Sequence, residues 1–93
     1  MSDITMEQIL DALDHGHQRA TYGAVAAYLG RAPRTLMQGR QRDQRHSWVV
    51  RRETGEPTGY QPTDMHPALR ENETVIETKE ELARWLRSAP VLQ

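Results

Sequence analysis

Two residue types are missing from this 93-residue chain altogether: cysteine and phenylalanine. Without cysteine there is no disulfide framework, no thiolate nucleophile and no cysteine-based zinc site. Without phenylalanine, Trp48, Trp85 and the three tyrosines must supply the aromatic bulk of the core. Long hydrophobic runs are missing too. No stretch approaches the ~18 apolar residues of a membrane span, and Met1 to Thr5 has neither the basic region nor the apolar run of a signal peptide. These absences predict a cytoplasmic protein without membrane contact. The length suits one domain, since domains run from about 50 to 250 residues. Residues 1–88 are expected to form it, with 89–93 as a frayed tail. Its core should be small and its stability modest.

What is present is charge, unevenly spread. The net charge is −1, yet Arg19 to Arg52 holds eight arginines against the single acid Asp43, a net +7 that leaves −8 on the rest. One basic face offered to a polyanion has this signature, and arginine's planar fork suits phosphates and guanine edges. The plainer reading of such a run is a solvated surface paired with acids from elsewhere in the fold, so its place within a motif matters.

Along the chain, Thr5-Met6-Glu7-Gln8 reads as a capping box. It opens a helix from Met6 to Asp14 with an apolar stripe of Met6, Ile9, Leu10 and Leu13 and Gly16 as its stop. Thr21 caps a second helix to Leu29, with Gly30 just past its end. Pro33, a residue favoured in a first helical turn, opens a third helix to Arg42 that is thin in apolar residues and carries Arg34, Gln38, Arg40, Gln41 and Arg42 outward. Two short helices joined by a glycine-containing turn, the second basic, form the helix-turn-helix pattern. Ser47 to Arg52 reads as a strand, Thr54 to Gly59 as a hairpin tip or loop, and Tyr60-Gln61 as a return strand cut short by Pro62. A hairpin after a recognition helix is a wing. The predicted fold is therefore mostly α with a small β-hairpin, a winged helix-turn-helix. In the acidic last third, Thr63 or Asp64 is expected to cap a short helix through Glu71, Val75-Ile76 to form an edge strand, and Thr78-Lys79-Glu80-Glu81 to open a helix to Arg87 with Leu82, Trp85 and Leu86 inward.

Thr21-Tyr22-Gly23-Ala24-Val25-Ala26-Ala27-Tyr28-Leu29-Gly30 resembles the opening of the helix-turn-helix in O6-alkylguanine-DNA alkyltransferases and their non-catalytic relatives, the alkyltransferase-like proteins. The family pattern there is of the type (S/T)-Y-G-x-(I/V/L)-A-x-x-x-G. The resemblance continues at Val49-Val50-Arg51 and the turn ending Gly59-Tyr60, and more faintly at Ala68-Leu69 and Glu73-Thr74-Val75, covering roughly residues 19 to 76. It implies a winged helix-turn-helix that enters the minor groove and meets a flipped or damaged base, with Tyr22 pressing on the phosphate backbone. The family's P-C-H-R-V signature falls on Arg45-His46-Ser47-Trp48-Val49, so His46 replaces the cysteine nucleophile and Ser47 its partner histidine. Alkyl transfer to a thiolate is thereby excluded. The family's arginine finger falls on Leu36, so an apolar wedge, Leu36 or Met37, would have to insert between bases instead.

The expected function is thus non-catalytic DNA binding, with duplex DNA as partner and altered or alkylated bases as targets. The expected contacts are Thr21, Tyr22, Arg31, Arg34, Leu36, Met37, Gln38, Arg40, Arg42, Arg45, His46, Trp48, Arg51 and Arg52. Two of these have a second reading: Tyr22 shares the buried stripe of Val25, Ala26 and Leu29, and Trp48 is either core or a stacking platform for an extruded base. No cofactor or metal is expected, because His15 and His17 lack a third ligand nearby. His46 with Asp43 as orienter would make a general base, but no nucleophile or oxyanion hole accompanies it, so no enzymatic activity is expected. The alternative is a winged-helix adaptor that binds a protein partner through the acidic last third. Convergence of the arginines on a carboxylate-free face favours DNA; their pairing with Glu77, Glu80 and Glu81 favours the adaptor.

Overall fold

The computed structural model describes residues 4–32, 36, 44–57, 59–69, 71 and 73–89. Among them are three α-helices, α1 (Met6–Gly16), α2 (Tyr22–Leu29) and α3 (Lys79–Arg87), and three short strands, β1 (Arg19–Thr21), β2 (Val49–Val50) and β3 (Val75–Ile76). The strands make one parallel sheet in the order β2-β1-β3.

Each helix starts where its cap dictates. Thr5 Oγ1 accepts from the Gln8 N–H at 3.2 Å while Gln8 Oε1 accepts from the Thr5 N–H at 2.8 Å, which satisfies two of the donors that a helix start leaves orphaned. The stripe of Met6, Ile9, Leu10 and Leu13 is buried, as its spacing predicts. The stop differs from expectation: Gly16 stays helical, and the left-handed residue is His17, at φ 49. Gly16 is small for a packing reason, since a Cβ there would lie 2.8 Å from the Trp85 ring. Thr21 Oγ1 accepts from the Ala24 N–H at 3.0 Å to start α2, and Gly30, at φ 71, ends it. Thr78 Oγ1 accepts from the Glu81 N–H at 3.1 Å to start α3. Leu82 and Leu86 are buried and Trp85 half-buried, and α3 lies against α2.

The sheet corrects the expected hairpin. Val49 and Val50 pair in parallel with Ala20 and Thr21, and Tyr60-Gln61 is not a strand. Both valines are fully buried, as suits a parallel strand covered on both faces, and Pro62 interrupts any return. The tip itself forms: the Arg51 N–H donates to Glu56 O at 2.9 Å and the Gly55 N–H to Arg51 O at 2.8 Å. Val75-Ile76 is an edge strand, as expected, on the far side of β1. The short helix expected through Glu71 is absent from the described residues. A 3-10 turn at Pro62–Asp64 is followed by His66, whose Nδ1 accepts from the Ala68 N–H at 3.0 Å, a side chain competing with the helical ladder. Of the third expected helix only Leu36 is described, buried in the core at 2% exposure; the rest of Pro33 to Arg42 lies outside the described residues, as do 90–93 of the expected tail. Among the described residues, no helix is long and apolar enough to cross a membrane.

The central strand carries a buried arginine. Arg19 is 7% exposed, and its Nη1 donates to Gly55 O at 2.9 Å. Gly55 has φ 69, and a Cβ there would meet Arg19 Nη1 at 2.9 Å. Gly55→Ala is therefore expected to destabilise the protein by about 1–2 kcal/mol, the cost of a left-handed residue with a Cβ, read as a lowered urea midpoint.

Candidate nucleic-acid interface

Because all three strands are parallel, their carboxyl ends open on one side of the sheet. Thr21 is in register with Val50, and Ala20 with Ile76. Tyr22, Arg51 and Glu77, the residues that follow the strands, are therefore brought to one edge. Tyr22 is half-buried against the core at the first turn of α2. Arg51 and Arg52 are exposed. Arg52 Nε lies 3.3 Å from Glu77 Oε1, an ion pair across the end of the sheet, and Arg51 Nε lies 3.9 Å from Glu53 Oε2. Exposed pairs of this kind are worth about 0–1 kcal/mol, so a phosphate can displace either carboxylate at little cost. Arg31, just past α2, is exposed as well.

The other expected contacts are distributed differently. Thr21 is buried, and its hydroxyl is engaged in capping α2. Leu36 is a core residue, so its side chain is not presented as a wedge. His46 and Trp48 are buried in a 3-10 turn, His46–Trp48, that leads into β2. Trp48 has no exposed face for a base to stack on; an indole of this size is buried because the core has no phenylalanine to fill it. Arg45 is bound to α1: its Nε and Nη2 reach Asp11 Oδ1 at 3.0 and 2.8 Å, Nη1 reaches Glu7 Oε2 at 3.1 Å, and Nη2 also donates to Glu7 O at 2.9 Å. Burial opposes its charge, and the Asp11 and Glu7 carboxylates outweigh that, holding its pKa above the ordinary arginine value. Arg34, Met37, Gln38, Arg40 and Arg42 lie outside the described residues.

At the opposite end of the sheet sits a cluster that the sequence did not advertise. Trp48 Nε1 donates to Asp14 Oδ1 at 2.8 Å. The His17 ring stacks on the indole at 5.5 Å with an interplanar angle of 10°, and the His66 ring lies 4.8 Å from the indole and 5.0 Å from His17. His66 Nε2 is 3.8 Å from the same Asp14 oxygen. Ser47, His66 and Asp14 thus come together, but not as a catalytic triad. Ser47 Oγ donates to Gln44 O at 2.6 Å and accepts from the main-chain N–H of His66 at 3.0 Å. The hydroxyl is buried and its proton is committed to Gln44 O, whereas a triad serine gives its proton to an imidazole. Among the described residues, no group of three or more His, Asp or Glu side chains is arranged to hold a metal.

No known family model, curated protein or solved structure matches this chain. Asp14 and His66 carry no signal in the sequence, since nothing in a single sequence links positions so far apart. Arg19 belongs to the basic stretch by sequence, and only its burial on the central strand reveals its internal role.

Proposed function

We propose that the protein is a non-catalytic DNA-binding protein of winged-helix type, akin to the alkyltransferase-like proteins, which meets duplex DNA with Tyr22, Arg31, Arg51 and Arg52. One observation carries the reading. The parallel register of β1 and β2 pairs Ala20 with Val49 and Thr21 with Val50, so that Tyr22 and Arg51 follow at one edge and bring together the two blocks in which the resemblance is most specific. The loop from Arg51 to Glu56, stitched by its own main chain and buttressed by Arg19, serves as a reduced wing. Arg34, Arg40 and Arg42, expected contacts by sequence, lie outside the described residues. Buried Leu36 and Trp48 take no part in extruding a base, so any preference for altered bases rests on the shape and deformability of the duplex.

Duplex binding should be strongly salt-dependent. With about four to six arginines on phosphates, log-affinity is expected to fall against log-salt with a slope of roughly −4 to −5, measured by fluorescence anisotropy. Arg51→Ala should flatten that slope by about one without lowering the melting temperature, and Tyr22→Phe should weaken binding if the hydroxyl meets a phosphate. A flat salt dependence would sink the reading. The adaptor alternative has one observation in its favour, the Arg52–Glu77 ion pair. It gains if Arg51→Ala and Tyr22→Phe both leave DNA binding unchanged.

A further inference from the structure

The Asp14, His17, Trp48 and His66 cluster has a chemical asymmetry that the DNA reading does not use. His66 Nδ1 accepts from the Ala68 N–H at 3.0 Å, and only a neutral ring carrying its proton on Nε2 can do this. That Nε2 faces Asp14 Oδ1 at 3.8 Å, on an oxygen already holding the Trp48 indole N–H. Among the described residues, the titratable groups in contact with the His66 ring are Asp14, near the end of α1, and His17. The neutral ring organises the segment that follows it. His66 N–H is anchored on Ser47 Oγ, Leu69 N–H bonds His66 O at 3.0 Å, and Ala68 and Leu69 are thereby seated in the core.

We propose that His66 is an acid-sensitive latch, which when neutral closes the 66–69 turn by accepting the Ala68 N–H and when protonated exchanges that N–H for the Asp14 carboxylate. A proton taken up on Nδ1 points at the Ala68 N–H, so the acceptor is lost and two donors face each other. The same proton makes Nε2–H a cationic donor, drawn to Asp14. Acid therefore swaps one partner for another: the Ala68–Leu69 turn loosens, while the ring tightens on α1 and against the indole.

The test is carried out on the full chain, 15N-labelled, titrated between about pH 8 and pH 5, the range in which histidine charges. His66 should show the Nε2–H tautomer at the upper end. As its ring protonates, the protection of the Ala68 amide, corrected for the intrinsic pH dependence of exchange, should fall by roughly tenfold, the loss of one hydrogen bond. His66→Asn is the decisive variant. Its Oδ1 can accept the same N–H two residues on, as in an Asx turn, and it does not titrate, so Ala68 should stay protected throughout. The latch is overturned if Ala68 protection is constant while the His66 ring protonates, or if His66→Asn shows the same acid-induced loss.

Discussion

Trp48→Ala is expected to cost about 3–5 kcal/mol, the range for deleting a large buried aromatic side chain. Against a total stability of order 5–15 kcal/mol for a small domain, that is enough to leave a substantial unfolded population. The indole is fully buried, packed against the rings of His17 and His66, and donates to Asp14. No phenylalanine is present elsewhere to share its volume. Trp48→Phe separates the two contributions: it keeps most of the apolar fill and leaves Asp14 without its indole donor, for a smaller loss. Urea unfolding followed by circular dichroism reads both. A Trp48→Ala protein with an unchanged midpoint but lost DNA affinity would mean that Trp48 is a stacking platform rather than core.

Leu36→Ala carries the second large effect, about 2–5 kcal/mol as a buried leucine truncation, because Leu36 belongs to the same core as Val25, Trp48 and Leu82. Loss of DNA binding should follow only from unfolding. At low temperature, where the variant remains folded, its affinity for duplex should equal that of the wild type. Weakened binding at unchanged stability would restore Leu36 as a wedge between bases.

The placement of the candidate residues was partly legible. Tyr22 at the first turn of α2, and Arg51 and Arg52 just past β2, could be placed because turn and helix signals are local. Leu36 and His46 were expected to contact DNA and Trp48 to be either core or platform, yet all three are buried, because burial is decided by what the rest of the chain brings against a residue and not by its local stretch. Arg45 was counted as a free cation; its engagement with Glu7 and Asp11 required α1 to lie alongside, a contact between segments that no local pattern encodes.

Sequence by itself determined where α1, α2 and α3 begin. Thr5, Thr21 and Thr78 cap α1, α2 and α3, and the apolar spacing after each selects the buried face, since capping and periodicity act within one or two turns. Only the tertiary structure decided the sheet. Arg19-Ala20-Thr21 has no strand signature, yet it is the central strand, and Val49-Val50 pairs with it in parallel rather than folding back on Tyr60. Strand pairing joins residues distant along the chain, and its direction depends on how α2 packs on β1 and β2 with α3 behind it. That arrangement sets Tyr22 beside Arg51 at one end of the sheet and His66 beside Asp14 at the other.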